Sequence, residues 1–399
     1  MAAELLDWLA LGARLLHVVA GIAWIGASFY FVWLDNSLEA PPRHKAEAGV
    51  AGDLWAIHGG GIYEVAKYRL APPRMPETLH WFKWEAYTTW LSGTLVLCLM
   101  YWLEAELYLL GGPWIDTPGA AVLASIAFLA GSLACYEAAL RSPLRASPRA
   151  FAVFVALLAA ALAWLSAQLF APRAAWLHTG AALATIMAAN VFLGIIPAQK
   201  RFVAAVAAGR EPDADAAALA KLRSTHNNYL TLPVVLAMIS NHYPMLYGHP
   251  KGWLLLLGLG LALAWLRHFF NLRHRGIVRP VIPVTSAAMI VAVFAFASLA
   301  RPMPAAGVAA ARPTLSDEAA MALVATHCSV CHARVPTQPG FLAAPGGHRF
   351  ESVDELRARA GLARTSVETG YMPLGNVTGL SDEARGALTR WLAALEEEG

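Results

Sequence analysis

The sequence predicts an all-α protein: a polytopic bundle of eight membrane helices, then a small soluble helical domain. Three observations carry this reading. Hydrophobic residues make up 58% of the 399-residue chain and charged residues only 14%, against about 45–50% and 25% in soluble domains. The mean hydropathy of +0.49 requires several spans, because one soluble core cannot supply it over this length. After position 300 the chain turns polar and proline-rich.

Crossing a bilayer core takes about 20 apolar residues per helix. Runs of that kind lie near 9–34, 86–110, 119–140, 150–170, 175–197, 229–247, 252–270 and 281–300. The first lacks a basic leader and a small-residue cleavage site, so it reads as a retained span. Positive charge alternates between the connecting loops. Arg43, Lys45, Lys67, Arg69, Arg74 and Lys83 follow the first span. Arg141, Arg145 and Arg149 follow the third, Lys200, Arg201, Arg210, Lys221 and Arg223 the fifth, and Arg273, Arg275 and Arg279 the seventh. The intervening loops hold only Arg173 and Lys251. By the positive-inside rule, both termini lie outside the cytoplasm, as in a multi-pass protein of the bacterial inner membrane facing the periplasm at both ends. No basic run suggests nucleic acid; the partner expected from composition is membrane lipid.

A weak internal similarity pairs Leu16-His17 with Leu177-His178, and Tyr87 and Thr89 with Tyr229 and Thr231. Four spans plus four would form a parallel pseudo-repeat; chance likeness between Ala-rich helices is the alternative. The membrane domain is read as residues 1–300, a Pro/Gly linker as 301–313 and the soluble domain as 314–399. In the last, Ser316 opens a helix that runs into Cys328. Ser352 and Glu355 form a capping box for a second helix closed by Gly361, and Ser381 opens the last, which carries Trp391.

The four cysteines fall into two classes. Cys98 and Cys135 sit inside apolar runs and read as packing residues. Cys328-Ser329-Val330-Cys331-His332 is a C-x-x-C-H motif, which reads as c-type haem attachment. Two thiols one helical turn apart reach the two vinyl groups of one porphyrin, and the next residue, His332, then lies under the iron. A zinc half-site lacks its second pair here, and no βαβ pattern supports a thioredoxin-like pair. Met372, in a Gly/Pro-flanked loop before the last helix, is the expected sixth ligand, with His348 as the rival. The soluble domain is therefore read as a class I cytochrome c domain with one covalent haem c. Haem c is attached outside the cytoplasm, the side to which the loop charges independently assign the C-terminus.

Ionisable residues inside spans are costly and point to function. His17, His178 and His242 all fall in the outer half of the membrane and are candidate ligands of a non-covalent haem b; helix–helix hydrogen bonding is the alternative. A second polar group gathers at the inner end: His58, His80, Lys83, Glu85, His226 and Asn227, with Asn228 and His268. Trp55 to Tyr63, with three central glycines, suits a short hairpin. This group suits a planar anionic substrate, which wants a cation, a stacking aromatic and amide hydrogen bonds. An aromatic belt with snorkelling charges is the alternative.

The stretches HGGGIYEVAKYRL, HWFKWEAYTTWLSG and THNNYLTLPVVLAMISNHYP, followed by CSVCHA and GYMPLGN, resemble the cytochrome c-fused membrane urate oxidases of bacteria, also called urate hydroxylases. The resemblance covers nearly the whole chain. It implies oxidation of urate to 5-hydroxyisourate, a step of purine catabolism. Electrons would pass to the cytochrome c domain and on to a soluble cytochrome or terminal oxidase, not directly to oxygen. The first span, LLHVVAGIAWIGASFYF, also resembles the opening span of the membrane-bound protoporphyrinogen oxidase family, in which a histidine there is associated with haem. That implies a haem role for His17.

The competing reading is a membrane cytochrome that relays electrons from quinol or a partner dehydrogenase without an organic substrate of its own. A terminal oxidase is disfavoured because no His-His pair occurs in the chain.

Overall fold

The computed structural model describes residues 2–299, 315–338, 341 and 343–397. The linker expected at 301–313 lies outside the described residues.

The N-terminal part is a helical bundle. Its long helices are α1 (Ala2–Ser37), α2 (Trp84–Leu97), α3 (Pro118–Leu140), α4 (Pro148–Leu169), α5 (Pro172–Ala189), α6 (Ala214–Ile239), α7 (Gly252–Arg273) and α8 (Val281–Leu299). Helix α5 continues through a π-helical stretch, Asn190–Ile195, into Ile196–Ala207. Proline occupies the first turn of α3, α4 and α5, where its missing N–H costs nothing. Ser147 and Asp213 cap α4 and α6 by accepting from the Ala150 and Ala216 amides.

Among the described residues, six helices are long and apolar enough to cross a membrane: Leu5–Ser37, α3, α4, Pro172–Ala207, α7 and α8. The other two runs expected to span differ for visible reasons. Helix α2 passes into a π-helical stretch at Cys98–Trp102. Helix α6 carries Arg223, His226, Asn227 and Asn228 on buried positions, which lowers its hydropathy. Both pack inside the bundle, α2 along α1 and α6 along α5, so in each half of the chain the first helix pairs with the second.

Helix α5 is the centre of the bundle. Half of its apolar window is buried, against 6% for α1, and it touches α2, α3, α4, α6 and α7. Glycines set the closest approaches. A Cβ on Gly180 would meet Ala237 Cβ at 2.7 Å, and one on Gly258 would meet Val293 at 2.7 Å. Small residues are how helices approach when lipid supplies no hydrophobic drive between them.

Between α1 and α2 an antiparallel hairpin, β1 (Val50–His58) and β2 (Gly61–Tyr68), turns at Gly59-Gly60. Both glycines have positive φ, 57° and 81°, the requirement of a two-residue turn that matches strand twist. This is the only sheet among the described residues, a small addition to an otherwise helical chain.

The C-terminal part has its own core. Helices α9 (Asp317–His327), α10 (Val353–Arg357), α11 (Ala360–Glu368) and α12 (Asp382–Glu397) bury Val324, Leu356, Val367, Leu388 and Trp391 against one another. The Trp391 indole donates to Asp317 at 2.9 Å and so ties the last helix to the first. The expected second helix ends sooner than its sequence suggests, at Arg357. Gly361 is not its cap: it lies inside α11, where a Cβ would meet the Glu396 carboxylate at 2.7 Å. It is a packing glycine that admits α12.

The two parts dock through named contacts. Tyr371 meets Tyr247 edge to face at 5.2 Å. The backbone of Gly375 (φ 59°) sits so near Glu106 that a Cβ would lie 2.5 Å from its carbonyl oxygen.

Candidate functional site

One cavity, about 450 Å³, opens between the two parts. Cys328, Cys331, His332 and Met372 all line it, together with Phe350 and Leu388. Cys328 closes α9, and its amide bonds the Val324 carbonyl at 2.8 Å. The His332 amide bonds the Cys328 carbonyl at 2.8 Å, so one turn carries all three motif residues. The His332 Nδ1 donates to the His348 carbonyl at 2.8 Å. A carbonyl can only accept, so Nε2 keeps its lone pair, the arrangement in which a second-shell acceptor orients a metal-ligating histidine. Burial lowers the His332 pKa, which favours that neutral form. His348 also borders the cavity and supplies that carbonyl from its backbone.

Met372 is positioned by its backbone. Its amide donates to Ser366 O at 2.9 Å, and its carbonyl accepts from Arg385 at 2.5 Å. The same guanidinium nitrogen also bonds Val367 O at 2.8 Å. Burial raises the thiol pKa of Cys328 to about 11, with neighbouring Cys331 adding to it, and burial raises Cys331 as well. No cluster of three metal-ligating side chains occurs among the described residues. The residues present fit a covalently held haem c: two thiols, a lone-pair-bearing imidazole and a thioether around one apolar cavity.

A second cavity, about 380 Å³, lies within the bundle and is lined by His17, Gly93, Tyr101 and Trp24. Arg173, Asn241 and His242 line both cavities. Arg173 donates to Asn241 at 3.1 Å and lies 5.6 Å above the Tyr108 ring. His17 donates from Nδ1 to the Thr89 carbonyl at 2.9 Å, which leaves Nε2 as the ring's acceptor. A Cβ at Gly93 would be 2.8 Å from His17 Cε1, so the glycine makes room for the imidazole. His17 and His242 both line this cavity, His242 from an exposed position.

His178 does not join them. It is fully buried, its Nδ1 donates to Ala174 O at 2.8 Å, and its Nε2 accepts from Ser125 at 2.7 Å. Both ring nitrogens are used, and Phe170 stacks on the ring at 4.2 Å.

The inner polar group is not one site. His58 is exposed beside the hairpin turn. His80 packs its ring against Phe82, and Lys83 lies 5.5 Å over Trp84. Glu85 differs: its Oε2 is buried with no partner. His226 and Asn227 belong to a closed network. Asn190 donates to Tyr136 Oη at 3.2 Å and to Asn227 Oδ1 at 2.9 Å; the Tyr136 hydroxyl then donates to His226 Nδ1 at 2.7 Å. Arg223 grips Glu137 with two nitrogens, at 2.5 and 2.9 Å, and also bonds Asn190. Asn190 begins the π-helical stretch, and Gly194 within it lies against Arg223. Arg223, expected from the sequence as a loop charge, is instead buried within α6; Glu137 and Asn190 are not among the residues the sequence points to, and a carboxylate inside an apolar helix is the available signal.

Comparison with curated proteins and with solved structures returns no match. The family model described as urate oxidase N-terminal matches residues 3–298, the whole helical bundle. The chain belongs to the urate oxidase N-terminal family.

Proposed function

We propose that this protein is a membrane-bound oxidoreductase that converts urate to 5-hydroxyisourate and delivers the electrons to its own C-terminal cytochrome c domain. Urate and one water become 5-hydroxyisourate with loss of two electrons and two protons. The family match over the bundle supports the substrate. The observation that carries the coupling is the wall shared by the two cavities, Arg173, Asn241 and His242.

In this reading Cys328 and Cys331 would hold the haem c, and His332 and Met372 are the side chains that would ligate its iron. His17 and His242 would hold a b-type haem. Bound haem supplies one-electron acceptance, so two such groups suit a two-electron oxidation. Arg173 supplies fixed positive charge between the two sites, and Tyr101 and Tyr108 exclude water around it. Arg385 holds Met372 toward the cavity. The chain crosses the inner membrane eight times, with both termini and the cytochrome domain in the periplasm, and a soluble cytochrome or terminal oxidase accepts the electrons.

The test is steady-state urate consumption by the purified protein with oxidised cytochrome c as acceptor. Urate loss should occur without hydrogen peroxide and should stop in a C328A/C331A variant. Stoichiometric peroxide in place of cytochrome reduction would refute the coupling. Cytochrome reduction by quinol but never by urate would favour the relay reading.

A further inference from the structure

Two arginines are buried in the bundle, and the structure treats them oppositely. Arg223 is paired with Glu137. Arg267, on α7 and only 4% exposed, has no carboxylate within ion-pair distance among the described residues. Its Nε donates to Asn228 Oδ1 at 3.2 Å, and its guanidinium carbon lies 3.7 Å from the Phe29 ring centroid. Its Nη2 is buried with no partner. A buried cation without a counter-ion is costly, so this arrangement asks for an anion.

The surroundings say which kind. Asn228, also 4% exposed, leaves its Nδ2 without a partner, and Asn271, which donates to Asn228 at 2.8 Å, leaves its Oδ1 without one. The linked trio therefore offers two unused donors and one unused acceptor. A phosphodiester presents acceptors only and would leave Asn271 unanswered. A planar heterocyclic anion bearing both ring N–H and carbonyl groups carries the matching donors and acceptors, and Arg267 is the member of the trio that lines the adjoining cavity. The adjoining cavity, about 460 Å³, has the aromatic walls such a ring would stack on: Phe29, Tyr30, Trp33 and Phe270. It lies at the end of α1 and α7, where Arg273 closes α7 and the following loop carries Arg275 and Arg279.

We propose that Arg267, with Asn228 and Asn271 linked behind it, forms the recognition site for the purine anion, entered from that basic end of the bundle. This deepens the urate-oxidising reading and rests on it for the identity of the purine.

The experiment uses the full-length protein in detergent and measures binding directly, by equilibrium dialysis of radiolabelled urate, alongside the KM for urate-driven cytochrome reduction. R267Q should weaken binding and raise KM by about tenfold to a hundredfold, the range one charge-assisted hydrogen bond supplies. R267K should lose less, and N228A, which leaves the arginine in place, should weaken binding by about tenfold. Dithionite reduction of the haem should be unchanged in all three. Saturable binding in the wild type that these variants weaken supports the site even if turnover is absent, in which case only the enzymatic reading fails. No saturable binding in the wild type, or unaltered binding and KM in folded R267Q and N228A, overturns the site. So does loss of co-purifying phospholipid from R267Q with urate binding intact, which would assign the guanidinium to a headgroup.

Discussion

His17 and Gly93 fit together as ring and gap: the imidazole occupies the space where any larger residue at position 93 would place its Cβ, 2.8 Å from Cε1. The imidazole is thereby held with Nδ1 on the Thr89 carbonyl and the other nitrogen available to the bundle cavity. G93V should displace His17 and remove the non-covalent haem while leaving the covalent one. A pyridine haemochrome assay counts the two separately. A full complement of b-type haem in G93V would contradict the assignment of His17.

The Met372 loop offers a second test. Thioether ligation raises the potential of a haem opposite histidine. M372A should lower the haem c potential without loss of covalent haem. R385L should shift it in the same direction by a smaller amount, because Arg385 holds the Met372 carbonyl but does not touch the iron. Potentiometric titration checks both, and an unchanged potential in M372A would shift attention to His348.

The buried pair Arg223–Glu137 is expected to be structural. Removing one partner leaves an uncompensated charge, which costs about 3–5 kcal/mol. E137Q should therefore lower the thermal midpoint markedly, and E137L/R223L should recover much of the loss. A single variant as stable as the wild type would show that the pair is solvated.

Without haem, the C-terminal unit should lose stability in acid. Burial depresses the His332 pKa below its usual 6.5 in the folded chain. Below about pH 6.5 the unfolded chain takes up a proton that the folded chain resists, so stability falls as pH drops and is constant above that value. Thermal unfolding of the C328A/C331A protein on either side of pH 6.5 should show this, and adding H332Q should flatten it.

Much of this architecture is readable from the residues because the governing signals are local. Apolar runs mark helices α3, α4, α7 and α8, Gly59-Gly60 marks the hairpin turn, and Ser316 and Ser381 mark helix starts. The C-x-x-C-H spacing brings Cys328, Cys331 and His332 onto one turn. What could not be read depends on partners distant in sequence. His17 and His178 occupy similar sequence settings, yet one faces a cavity and the other spends both nitrogens on Ala174 and Ser125. Gly361 looks like a helix cap until α12 packs on it. His58, His80 and His226 are alike as residue types, but the hairpin, an aromatic contact and the Tyr136 hydroxyl separate them. Arg267 stands out only once every carboxylate near it has been ruled out as a partner, which requires the fold.

The central claim is that urate electrons reach the haem of the same chain. The direct measurement is anaerobic rapid mixing of urate with the oxidised full-length protein, recording the ultraviolet band of urate and the visible bands of haem together. The account predicts that the urate band falls as the haem c band of the reduced form rises, with two electrons appearing per urate consumed. Haem that stays oxidised in excess urate, yet reduces fully with dithionite, would contradict it.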